Sequence, residues 1–179
     1  YKIMSADYSQ IELRIMAHLS QDPNLVHSFQ SDDVDIHTRT AALVNKIDEE
    51  DVTSNMRRAA KVVNYGIMYG AGAYRLSNEL GISMTEARDL KDKYFETYPG
   101  INQYILNTLE DAREKGYVAT LAGRIRYTHG INSDNKNKKR AAERMAINLP
   151  IQGTAADMIK IAMININRIL HNESWKAMM

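Results

Sequence analysis

Apolar residues return along this chain mainly at helical spacing. Residues 1–6 form a short apolar run that reads as a strand. Ile11, Ile15 and Leu19 then recur at four-residue steps, one face of a short helix that Asp22-Pro23 breaks. The acidic string Asp48-Glu49-Glu50-Asp51 precedes Thr53-Ser54. Either of the latter can cap a helix over 55–69, and negative charge there suits the helix dipole. At about 100° per residue, Met56, Ala60, Val63 and Ile67 fall in one narrow stripe of that helix. Arg57, Lys61, Tyr65 and Tyr69 fall on the opposite side, each about 40° from the last. One face is built to pack and the other to be read. Gly70 and Gly72 end the helix.

Ser83-Met84-Thr85-Glu86 is a capping box that opens another helix, closed by Pro99-Gly100. Ile101, Tyr104, Ile105, Thr108, Leu109 and Ala112 keep helical period until Gly116. Residues 117–127, interrupted by Ala122-Gly123, read as a small hairpin, and 130–135 as a loop. A basic helix follows over 136–148, Pro150 interrupts it, and a last helix covers 153–170. Neither repeats nor low-complexity tracts occur. The expected class is α+β, predominantly helical with little sheet.

Composition narrows the partners less than the pattern does. Of 179 residues 44% are hydrophobic and 25% charged, which is ordinary for a chain with a sizeable core. The formal charge of +1 is too small to signal nucleic-acid binding, so a basic surface must come from clustering at Lys136, Lys138, Lys139, Arg140 and Arg144. The absence of cysteine excludes disulfides and thiolate zinc sites, in keeping with an intracellular protein. No run is long and apolar enough to cross a bilayer, and no signal peptide is visible. The acceptor-like string Asn172-Glu173-Ser174 is therefore read as chance. Both ends look cut, as in an internal fragment.

Asp7, between the opening run and the first helix, is suited to ligate a divalent metal, although a carboxylate there equally serves as a cap or turn residue. Glu12 is near enough to border the same site, and could equally cap the helix reciprocally. Arg57 and Lys61 alone would make an ordinary solvated face. Tyr65 and Tyr69 continue that face, and two cations followed by two phenols suit a nucleoside triphosphate, phosphates first and base further along. Gly70-Ala71-Gly72 lacks a third glycine and follows a helix, so it is no dinucleotide fingerprint. Asp33-Val34-Asp35 lacks the glycine and glutamate of a calcium loop; Asp35-Ile36-His37 could hold a metal, but a lone histidine is usually a surface or packing residue. Arg144, Asn148 and Gln152 stand at four-residue steps and can donate to the acceptors that the minor groove of every base pair shares.

Three strings then carry a resemblance over essentially the whole chain. Asp7-Tyr8-Ser9-Gln10-Ile11-Glu12-Leu13-Arg14 resembles motif A of the family A DNA polymerases. The segment 57–70 resembles their motif B, the fingers helix, and 144–157 the palm helix that follows. The resemblance implies a palm portion over 1–40, fingers over 41–135 and a return into palm helices over 136–179. It implies that Asp7 binds two magnesium ions, with the Tyr8 carbonyl helping, and that Glu12 blocks a ribose 2′-hydroxyl. Arg57 and Lys61 would hold the triphosphate with His37 assisting, and Gln10, Tyr65 and Tyr69 would complete the nucleotide site. Arg14, Arg144, Asn148 and Gln152 would touch primer–template. The implied partners are primer–template DNA and deoxynucleoside triphosphates, the implied cofactor is magnesium, and the core is expected to be monomeric.

Two departures qualify this. Many family members carry phenylalanine where this chain has Tyr65, and tyrosine there goes with ready incorporation of dideoxynucleotides; it leans towards a replicative, phage-type parent. The His-Asp-Glu string of motif C, which supplies a second metal-binding aspartate, is absent, and His171-Asn172-Glu173 lacks that aspartate. The 179 residues by themselves are thus expected not to extend a primer. Two alternatives predict different behaviour: a non-catalytic nucleic-acid-binding relative, and a regulator that binds nucleotide without template.

Overall fold

The computed structural model describes residues 3–30 and 35–172. Tyr1 and Lys2 of the expected strand, Asp33 and Val34, and the end of the chain from Glu173 lie outside the described residues. Eight α-helices and one hairpin make up the regular structure there: α1 (Ile11–Ser20), α2 (Pro23–Ser28), α3 (Ile36–Asn45), α4 (Ser54–Met68), α5 (Ala73–Leu80), α6 (Met84–Thr97), α7 (Pro99–Lys115), β1 (Tyr117–Ala119), β2 (Ile125–Tyr127) and α8 (Lys136–Asn172). A 3-10 turn, Glu49–Asp51, precedes α4. The predominantly helical class with a small sheet is as expected.

The ends of the helices follow the expected chemistry. The Thr53 hydroxyl accepts from the Met56 amide at 3.3 Å and caps α4. Ser83 and Glu86 close their capping box at the start of α6. Asp22 begins α2 by accepting from the Asn24 and Leu25 amides, and its other oxygen takes the Gly100 amide at 2.8 Å. That carboxylate is completely buried, and three backbone donors satisfy it. Gly100 must be glycine to let α7 approach: a Cβ there would stand 2.9 Å from the Asp22 backbone.

The main core lies between α1, α3, α4, the end of α6, the start of α7 and the middle of α8, with Leu13, Met16, Leu25, Ile36, Val63 and Ile151 among its buried members. Ala60, Val63 and Ile67 of the expected stripe are buried, and Met56 is half-buried. A smaller cluster, Ala112, Val118, Ile131, Ala142 and Ala146, joins α7 and the hairpin to the first half of α8.

Two expectations are corrected. Residues 3–7 form no strand, and Ile3 and Met4 are almost fully exposed. A strand needs a partner for its backbone groups, and among the described residues the sheet is limited to β1 paired antiparallel with β2. Pro150 also fails to interrupt α8, which runs unbroken for 37 residues. An interior proline costs roughly 3 kcal/mol. Here Pro150, Ile151, Thr154 and Ala155 are buried, and the hairpin grips the two turns that follow. Thr154 Oγ1 accepts from the Leu121 amide at 3.0 Å, Arg124 donates to the Gly153 carbonyl at 3.0 Å, and the Thr120 hydroxyl donates to Asp157 at 2.8 Å. Gly153 is needed for this contact, since a Cβ would meet Thr120 Cγ2 at 2.5 Å.

Candidate active site

Helix α4 carries the site. With its apolar stripe in the core, Arg57 and Lys61 are exposed on the other side and Tyr65 and Tyr69 are half-buried. The ridge read from the sequence therefore faces outward at its cationic end and sinks towards α1 at its phenolic end. There the Tyr69 hydroxyl donates to Glu12 Oε2 at 2.9 Å, joining the end of α4 to the first turn of α1. Burial raises the Tyr69 phenol, Glu12 adds to the shift, and the nearby Gln152 side chain opposes it. Burial followed by the Glu12 charge raises Tyr65 as well. Both phenols thus keep their protons at neutral pH and remain hydrogen-bond donors.

Helix α3 brings His37 to the same place. Its ring lies 5.7 Å from that of Tyr65, tilted by 52°. Asn64, fully buried, places its amide nitrogen 3.2 Å from His37 Nδ1 and 3.1 Å from Thr40 Oγ1, and Thr40 also lies 3.1 Å from the Tyr98 hydroxyl. An amide NH2 only donates, so Nδ1 accepts and the proton of the neutral ring sits on Nε2. Burial lowers the His37 pKa; Asp35 pulls it back up, and Arg57 and Lys61 push it further down. The imidazole is a neutral donor held beside two cations.

Asp35 caps α3 by accepting from the His37 amide at 3.1 Å and from the Thr38 hydroxyl at 2.9 Å, and it pairs with Arg57 Nε. Burial alone would raise its carboxyl, but the bonds from Arg57, Thr38 and the His37 amide outweigh this and bring its pKa to about 2. Among the described residues no ion pair involves Lys61, which leaves it the uncompensated charge of the ridge.

The far end of the ridge meets α8. Gly70 takes a left-handed φ of 64°, and a Cβ there would come within 3.0–3.4 Å of Arg144 carbons. One and two turns on, Asn148 donates to Gln152 at 3.0 Å. Arg144, Asn148 and Gln152 thus continue from the end of α4 along α8. Arg14 lies elsewhere: its Nε donates to the Ser9 carbonyl at 3.2 Å and its guanidinium covers the Phe29 ring. It lines a largely apolar groove of about 490 Å³ with Tyr8, Ile11 and Met158. Gln10 sits before α1 with φ 53°, a costly backbone for a residue that is not glycine, and turns the Tyr8-Ser9 segment into the helix.

Asp7 is exposed, and among the described residues no ion pair involves it. No group of three or more histidines and carboxylates converges among them. Magnesium keeps several waters and takes one or two carboxylates plus substrate phosphates, so an accessible Asp7 carboxylate and the Tyr8 carbonyl fit part of such a site.

Sequence reasoning considered Asp35 only as a metal ligand and missed its capping of α3, its pairing with Arg57, and the Asn64–Thr40 pair. A signal existed for each: Asp35 and Thr38 have the spacing of a helix cap, and Asn64 is a polar residue beside the apolar stripe.

The family model for DNA polymerase family A matches residues 1–179. The chain is 50% identical over 175 residues to DNA polymerase I of Bacillus caldotenax, covering 98% of this chain and 20% of that protein. It is 52% identical over 167 residues to DNA polymerase I of Deinococcus radiodurans, covering 93% of this chain and 17% of that protein. The chain thus spans a fifth or less of the length of these two relatives. A solved structure, the POL domain of Pol1 from M. smegmatis in complex with DNA primer-template and dNTP, superposes with a TM-score of 0.90 at 41% identity, over 95% of this chain and 30% of that one. With its entire length matched and half its residues shared with such relatives, the chain belongs to DNA polymerase family A.

Proposed function

We propose that the protein containing this chain is a DNA-directed DNA polymerase, and that these residues are its fingers and part of its palm. The observation that carries the reading is the Tyr69–Glu12 bond, which ties the cationic–phenolic ridge of α4 to the acidic segment that begins at Asp7. Residues 1–40 and 136–179 belong to the palm in this reading, and 41–135 to the fingers. The superposed polymerase was solved with primer-template and dNTP, which supports the same partners here.

Arg57 and Lys61 bind the triphosphate, and His37 contributes its Nε2–H. Tyr65 and Tyr69 flank sugar and base, while Glu12, held by Tyr69, occupies the room that a 2′-hydroxyl would need. Gln10 shapes the turn in front of them. Arg144, Asn148, Gln152 and Arg14 contact primer–template. The primer 3′-hydroxyl attacks the α-phosphate, and pyrophosphate leaves against the charges of Arg57 and Lys61. Asp7 and the Tyr8 carbonyl would hold magnesium, two ions in the complete enzyme, which would supply charge neutralisation for the triphosphate and a lowered pKa for the attacking hydroxyl. The protein works inside the cell as a monomeric core.

Primer extension by the full polymerase tests this reading. Lys61→Ala removes an exposed cation without a partner among the described residues, so the fold should survive while extension falls about a hundredfold. The 179 residues alone, with Asp7 as the one carboxylate assigned to the metals, should extend nothing. Wild-type rates in Lys61→Ala would refute the assignment.

A further inference from the structure

We infer that Asp35 is a positioning residue for nucleotide capture: it holds the Arg57 guanidinium by Nε and leaves both terminal nitrogens for the phosphates. The inference rests on the polymerase reading and adds to it a residue that the ridge motif does not contain.

The geometry of the pair supports this division of labour. A guanidinium offers five N–H donors in a fixed fork. Asp35 Oδ2 takes the one on Nε, and among the described residues no other hydrogen bond reaches the Arg57 side chain. The edge formed by the terminal nitrogens is the one that grips a phosphate bidentately. Asp35 is itself fixed, because the His37 amide and the Thr38 hydroxyl both donate to it. It is therefore an anchor built into the first turn of α3. That turn also carries His37, which faces Tyr65. One short segment thus orients two phosphate-binding groups relative to α4.

Energetics point the same way. The two side chains are 48% and 38% exposed, so the pair adds little to stability. What it does change is the freedom of Arg57. An arginine side chain loses rotamer entropy when it is immobilised, and holding it beforehand removes that cost from binding. The negative charge of Asp35 weakens long-range attraction for a triphosphate. Lys61, without an ion-pair partner among the described residues, supplies that attraction, while Arg57 supplies direction.

The test uses the full polymerase with Asp35→Asn, Arg57→Ala and the double variant. Asparagine still caps α3, so the melting temperature should stay near wild type. Asp35→Asn should raise KM for the deoxynucleotide about five- to tenfold with kcat within about twofold, and should add nothing in the Arg57→Ala background. Titration of nucleotide onto the enzyme with a dideoxy-terminated primer–template should show the same loss of affinity. An unchanged KM, or an equal rise in the Arg57→Ala background, would overturn the inference. A fall in KM would do so too, by showing that Asp35 competes with the phosphates. A wild-type enzyme that extends no primer would instead sink the polymerase reading on which this one depends.

Discussion

Replacing Asn64 by alanine should loosen the site from beneath, by removing a residue that supports His37 without itself meeting the nucleotide. Asn64 is completely buried and donates towards both His37 and Thr40. Losing the bond to Thr40 costs about 1 kcal/mol, because Thr40 keeps the Tyr98 hydroxyl as a partner. His37 Nδ1 is left buried without a donor, which costs about 2 kcal/mol. The deleted side chain leaves a small void in the packed α3–α4 interface, worth about 1 kcal/mol more. Together these weaken the contact between α3 and α4 by about 4 kcal/mol. Amide hydrogen exchange in the parent polymerase reads such local stability directly, and the amides of α3 and α4 should exchange two to three orders of magnitude faster, roughly tenfold per 1.4 kcal/mol. Asn64→Asp separates polarity from volume: it keeps the shape, and its carboxylate should raise the His37 pKa by stabilising the imidazolium. Exchange accelerated less than about fivefold in Asn64→Ala would show that the network holds nothing together.

The depressed pKa of His37 sets a pH dependence. Below the ordinary value of 6.5 the unfolded chain binds a proton before the folded one, so this contribution to stability is present above 6.5 and is lost as pH falls towards the folded value. Unfolding followed between pH 7 and 5 should show that slope in wild type, and His37→Gln should flatten it; equal slopes would refute the link. Gly153→Ala should cost about 1–3 kcal/mol by driving a Cβ into Thr120 Cγ2, and adding Thr120→Ser, which removes that methyl, should restore most of the melting temperature. Tyr65→Phe should lower dideoxynucleotide incorporation relative to deoxynucleotide, as measured by terminator ratios in primer extension. An unchanged ratio would dispose of the role given to its hydroxyl.

The legible parts of the fold were those with a periodic or capped pattern. The face of α4, the capping box of α6 and the hairpin were visible because each depends on neighbours within a few residues. Pro150 misled because its local penalty is real, while what offsets it is burial and the grip of Thr120 and Arg124, about 30 residues away, on the turns that follow. Helices α2 and α5 have 6 and 8 residues, too short for periodicity to stand out. In the site, the order Arg57, Lys61, Tyr65, Tyr69 survives as a ridge, because one helix carries all four. The Tyr69–Glu12 bond and the Asp35–Arg57 pair join separate helices, and no pattern along the chain announces them.

The unbroken α8 works as a ruler. At about 1.5 Å per residue, Arg144 to Gln152 spans about 12 Å, with Asn148 midway along a helix that continues past its proline. Under the polymerase reading proposed above, duplex DNA rising about 3.4 Å per base pair and lying along that helix would offer these three side chains only about three or four pairs. A mispair should stall synthesis while it lies within that reach and go unnoticed once it has passed beyond it.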